Sequence, residues 1–206
     1  MSEQNSCVTP ANSDFSSVLS RLTIGQWVVL SAAVVLTILL RVVEWRITNF
    51  SSVIALTLLC GSVTRHRALV LLPLAVRLLT DMLVHLKTGY GFFPSWPFDY
   101  SAYLLIFLLG RFVPANRYGI VVAGSVVSVI MYFVLSNLGV WFLWSDTYPR
   151  TAAGLVDCFV KAIPFARGTI YGNLLIAPIF FVAWNVVTAP VNQMHSEAAT
   201  VSTESA

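Results

Sequence analysis

From Tyr118 to Leu143 the chain runs for 26 residues without one charged side chain. A helix of that length rises about 39 Å, enough to cross a bilayer core of about 30 Å. In lipid only a helix or a closed barrel satisfies every backbone N–H and C=O, so this run is read as a membrane helix. The rest of the chain agrees. It is 57% hydrophobic and only 10% charged, with a mean hydropathy of +0.80, which places it outside the range of soluble domains.

Apolar runs recur along the 206 residues, and they predict an all-α integral membrane protein, a bundle of six transmembrane helices. The spans are expected at about 24–43, 47–63, 68–86, 99–113, 118–143 and 168–187. Residues 1–23 are polar, rich in Ser and Asn, and read as a disordered cytoplasmic tail. No basic segment precedes the first apolar run, which flows into Arg41 and Glu44, so an uncleaved first span is expected. Residues 188–206 read as a second disordered cytoplasmic tail. Thr48 and Asn49 are good caps for the second helix, and Pro73 is expected to bend the third. In the fifth, Gly119-x-x-x-Ala123 and Gly124-x-x-x-Ser128 offer a small-residue packing face, and Ser136, Asn137 and Gly139 suggest a break near its end. Residues 151–165 read as an amphipathic helix closed by Pro164, with Leu155, Phe159 and Ala162 on one side and the i,i+4 pair Asp157 and Lys161 on the other.

The connections differ in kind. Thr64-Arg65-His66-Arg67 and the segment from Arg111 to Arg117 are terse and basic. The other three, around Trp45, from Lys87 to Phe98, and from Trp144 onward, carry aromatic and polar groups. With six spans the basic loops share a face with both termini, and the positive-inside rule puts that face in the cytoplasm. The expected location is the inner (plasma) membrane, multi-pass, with lipid as the surrounding partner.

Ionisable groups inside the spans mark the candidate site. Arg77, Asp81 and His85 stand four residues apart, so they share one face of the third helix. Charge at that depth needs a protein partner or a water-filled cavity. Two readings are open: a ligand-binding face, or an internal ion pair that neutralises itself. On the first, Asp81 and His85, nearer the outer end, are polar ligand contacts, and Arg77 balances Asp81. The aromatic stretch from Tyr90 to Tyr100 is either a lid over a pocket or an interfacial belt. Asn137, Trp141, Trp144, Asp146 and Tyr148 suit hydrogen bonding and stacking on a small organic molecule, or else helix termination with interfacial anchors. The candidate ligand set is therefore Asp81, His85 and Asn137, with Trp96, Trp141 and Tyr148 for stacking.

Other classes are disfavoured. Cys7, Cys60 and Cys158 share no short spacing, so neither a disulfide framework nor a metal site is expected. The net charge of +3 is scattered, which gives nucleic acid no footprint. Enzyme templates fail too: there is no nucleophile elbow, no second intramembrane Asp and no phosphate-binding Gly-rich loop. Neither a cofactor nor catalysis is expected.

Several stretches carry a resemblance: Asn49-Phe50; Pro73 with Asp81; Leu109-Gly110-Arg111; Ser136-Asn137-Leu138-Gly139-Val140-Trp141; Tyr148-Pro149-x-Thr151-x-x-Gly154-Leu155; Ala162-Ile163-Pro164-Phe165; and Thr169 with Gly172. Together they resemble a family of uncharacterised prokaryotic membrane proteins, itself similar to the substrate-binding S components of energy-coupling-factor (ECF) vitamin transporters. The resemblance implies six helices, cytoplasmic termini and a pocket on the outer side under the first, third and fifth loops. It also implies, as a partner, an energy-coupling transmembrane subunit with ATPases. Span one lacks a clear Ala-x-x-x-Ala docking pattern, so a solitary carrier is equally consistent with the sequence. The expected function is capture of a small, vitamin-like organic solute from the outer face. The alternative is a structural or assembly protein without a ligand; an intramembrane enzyme comes third.

Overall fold

In the computed structural model, residues 22–43, 52–64, 67–89, 91–144 and 146–204 are described. Among them every regular element is helical. Helix α1 is Ile24–Val43, α2 Val53–Val63, and a 3-10 turn at Arg67–Val70 leads into α3, Leu71–Thr88. Then follow α4, Trp96–Gly110, α5, Tyr118–Leu143, and the long α6, Ala152–Glu204.

The apolar sequence decides the layout. Helix α2 carries only small polar side chains, and these are satisfied within the protein: the hydroxyl of Thr57 donates to the carbonyl of Val53 at 2.7 Å, and that of Ser62 to the carbonyl of Val113. It can therefore be surrounded on all sides, and residues Val53 to Gly61 are all buried. All five other helices pack against it. The closest approach is to α4. A Cβ on Gly61 would lie 2.1 Å from the carbonyl oxygen of Phe107, and one on Gly110 would lie 2.6 Å from that of Leu58. Two glycines facing one another thus let the backbones of α2 and α4 touch.

The outer surface is the reverse of a soluble protein's. Val122, Val126 and Ile130 on α5, and Leu175, Ile179 and Val186 on α6, are large, apolar and exposed. Four helical segments are long and apolar enough to cross a membrane: Ile24–Arg41, Ala68–Thr88, Tyr118–Leu143 and Ala152–Ala189. The all-helical, membrane-type architecture stands. At 11 and 15 residues, α2 and α4 span only about 16 and 22 Å.

Several sequence expectations change. Helix α5 is unbroken to Leu143. Ser136 and Asn137 donate instead to the carbonyl of Phe133, at 3.4 and 2.7 Å, which satisfies both side chains within the helix. Pro164 does not end the amphipathic segment, and no boundary separates it from the last apolar run: α6 passes through both. Proline forfeits one hydrogen bond, but apolar surroundings hold the bonds on either side, so membrane helices tolerate it. The helix also continues to Glu204 through the segment read as a tail, where Gln193, Glu197, Ala198 and Ala199 all favour helix. Pro73 falls in the first turn of α3, where a missing N–H has no partner to lose, and α3 runs unbroken beyond it. Half of the small-residue face in α5 is used: Gly124 and Ser128 are buried, whereas Gly119 meets nothing within 4 Å. Thr48, Asn49, Tyr90 and residues 1–21 lie outside the described residues.

Candidate functional site

The charged stripe closes on itself, and it recruits a residue from another helix. Arg77 Nε donates to Asp81 Oδ2 at 2.8 Å along α3. Arg41 Nη2, near the end of α1, donates to Asp81 Oδ1 at 2.9 Å. A second edge of Arg77 turns to α4, where Nη1 donates to the Tyr103 hydroxyl at 3.2 Å. Both carboxylate oxygens of Asp81 are thus engaged, and the residue is 3% exposed. The triad lies about 10 Å below the end of α3.

Beside it sits a cavity of about 380 Å³. Arg41 and Arg77 form one wall, with Asp99 from the first turn of α4. Val129, Tyr132, Phe133, Ser136, Asn137 and Val140 supply the α5 side. Helix α6 supplies Cys158, Lys161, Ala162, Phe165, Ala166 and Thr169. Two connections complete the lining, Phe93 before α4 and Tyr148 before α6. Their ends of the bundle coincide, since Phe93 lies 6.2 Å from Trp144, ring to ring.

Of the residues singled out in the sequence, Arg77, Asn137 and Tyr148 come together in this lining. Asp81 does not; it holds the far edges of the two arginines. Arg77, expected only to balance Asp81, is thus the member of the stripe that lines the cavity, and Asp81 is the one that lies outside the lining. His85 is exposed outside the lining: its Nδ1 accepts the Gly91 N–H at 3.3 Å and its ring lies 5.8 Å from Phe92. Trp96 is 52% exposed and meets Tyr100 edge-on at 5.8 Å, away from the cavity. Trp141 donates its Nε1–H to the carbonyl of Pro149 at 3.1 Å, tying α5 to the following loop. Of the described aromatic residues in the stretch read as lid or belt, Phe93 alone lines the cavity; Asp99, from the same stretch, does so as well.

Arg41, Asp99 and Lys161 were missed as site residues. The signal was present for the first two: Arg41 is the sole charge of α1 and Asp99 the sole charge of α4. A lone ionisable residue in an apolar run deserves the same reading as the stripe. Lys161 is held by Asp157 at 2.7 Å, as the i,i+4 spacing predicts, and its ammonium lies 5.6 Å from the Tyr148 ring centre. Among the described residues no cluster of three metal-ligating side chains occurs.

Chemically, the cavity combines fixed charge at one wall, hydrogen-bonding groups along α5 and aromatic faces from α5, α6 and two loops. Among the described residues the fold is all-helical, with four helices long and apolar enough to cross a membrane, as in a multi-pass membrane protein, and with a small-molecule-sized hollow between helices. The chain belongs to a family of unknown function, DUF6580, which it matches over residues 22–196. No curated protein and no solved structure matches it.

Proposed function

We propose that the protein captures a small organic, vitamin-like solute, as the substrate-binding membrane subunit of a transporter or as a solitary carrier. The observation that carries this reading is the cavity of about 380 Å³, a volume suited to a small metabolite, with charged, polar and aromatic walls drawn from five helices. We assign Arg77, Asn137 and Tyr148 to ligand contact, and Asp81 to holding the arginines. His85, Trp96 and Trp141 lie outside the lining and are assigned no ligand contact. No catalytic step is assigned.

The four long helices, with α2 and α4 as short spans two and four, are compatible with a six-span bundle in the inner (plasma) membrane. Basic residues Arg111 and Arg117 favour a cytoplasmic face for the α4–α5 loop, which puts both termini inside and the cavity mouth outside. That arrangement fits the resemblance to ECF S components, which also supplies a candidate partner, an energy-coupling transmembrane subunit with ATPases.

Native mass spectrometry of the purified protein tests the proposal directly. A retained small molecule is expected, and that molecule should raise the Tm of the wild type more than that of Asn137→Ala. If nothing is retained and a broad panel of vitamins and nucleobases gives no stabilisation, capture is wrong. A stable co-purifying protein would then favour the structural alternative, which the closed Arg41–Asp81–Arg77 triad already suits.

A further inference from the structure

The charges around the cavity are unequally committed. Asp81 takes one bond from each arginine, and Asp157 holds Lys161. Asp99 is different: among the described residues its carboxylate forms no ion pair, although it lines the cavity, has the Tyr132 hydroxyl as a hydrogen-bond partner and feels the charge of Arg77. A half-buried carboxylate facing a hollow is a strong acceptor, and charge-assisted bonds to it are about twice as strong as neutral ones.

The α5 wall adds acceptors of its own. The Phe133 carbonyl can only accept, so the Asn137 atom bonded to it at 2.7 Å is the amide nitrogen. That leaves the Asn137 carbonyl oxygen free to accept from a ligand, beside the second amide N–H. The Ser136 hydroxyl also spends its proton on Phe133, at 3.4 Å, and keeps only lone pairs. The same lining carries the aromatic side chains of Phe93, Phe133, Tyr148 and Phe165. Flat apolar faces bind flat solutes with little loss of rotamer freedom.

We infer that the cavity takes a flat aromatic ring bearing amino or ring N–H donors, with Asp99 as its principal acceptor and the Asn137 carbonyl oxygen as a second. This rests on the capture reading and narrows it to one ligand class. A donor-bearing ring fills the acceptor sites of Asp99 that Tyr132 does not use, whereas a ring lacking donors desolvates that carboxylate and returns no bond. Discrimination against the absent hydrogen bond is the stronger kind a site can exert.

The test uses full-length protein in detergent and a matched set of probes: 2,4-diaminopyrimidine, 2,4-dimethoxypyrimidine and benzoate. Binding is followed by tryptophan fluorescence and by thermal shift, for wild type, Asp99→Ala and the near-isosteric Asp99→Asn. The diamino ring is expected to bind at least tenfold more tightly than the dimethoxy ring, with benzoate weakest. Both Asp99 variants should lose at least tenfold toward the diamino ring while keeping their unliganded Tm within a few degrees. Equal binding of the two pyrimidines, preference for benzoate, or unchanged affinity in Asp99→Asn overturns the assignment. If a solute from the broad panel is retained while these probes behave that way, capture stands and the donor-ring class falls. If no solute of any kind binds the wild type, both fall together.

Discussion

Removing the Asp81 carboxylate would leave two guanidinium groups, 15% and 11% exposed, facing the same gap. An uncompensated buried charge is among the most damaging single changes, and Asp81→Ala is expected to lower stability by about 3–5 kcal/mol. The fall in Tm in detergent measures it. The compensated variant Arg41→Met/Asp81→Leu/Arg77→Met removes all three charges and is expected to recover most of that loss. An Asp81→Ala protein that melts with the wild type would show that the triad holds nothing. His85→Ala offers the contrast. Its imidazole accepts one long bond at the surface, so the change is expected within about 0.5 kcal/mol of wild type, with ligand retention unaltered in mass spectrometry. Both residues look alike in the sequence, on one face at equal spacing. What separates them is Arg41, 40 residues upstream, and no local pattern reports which turn of α1 meets α3.

At the scale of elements, the crossing of α2 and α4 depends on two missing Cβ atoms. Gly61→Ala would place a methyl 2.1 Å from a backbone oxygen, which no rotamer change relieves. Overpacking of this kind costs about 1–3 kcal/mol, and a backbone partner puts it at the upper end. Gly119→Ala should act in the opposite direction. It meets nothing within 4 Å, and alanine in a helix is favoured over glycine by about 1 kcal/mol at most. Thermal unfolding of the two variants should therefore bracket the wild type, and matching shifts would refute the close crossing. Element positions were largely legible from apolar run length, α1 and α5 most clearly. The junction around Pro164 was not, because rules for helix ends come from soluble proteins, where water competes for the bonds a proline leaves. The stretch Ser136 to Gly139 misled for a related reason: small polar residues read as a break, yet two of them bond back to the Phe133 carbonyl of their own helix.

For the whole molecule, the class of fold follows from hydropathy alone, but the cavity does not. Phe93 and Asp99 come from one stretch and Lys161 from another more than 60 residues on, and only packing of the helices brings them to the hollow beside Arg77. The hollow they line is bounded by the loops before α4 and α6, at the end of the bundle carrying Phe93 and Tyr148. If that end faces outward, a solute reaches it without crossing the membrane, and Arg111 and Arg117 lie on the cytoplasmic side. Since α5 runs unbroken for 26 residues, its two flanking loops sit on opposite faces of any bilayer it spans. Asn116 and Thr147 are exposed on those two loops and make suitable reporters. In a cysteine-free background, Thr147→Cys is expected to react with a membrane-impermeant thiol reagent on intact cells, and Asn116→Cys only after permeabilisation. The reverse pattern would turn the cavity mouth to the cytoplasm and recast capture as export or intracellular binding. Labelling of both positions on intact cells would mean that α5 does not cross the membrane at all, and the spanning bundle would have to be abandoned.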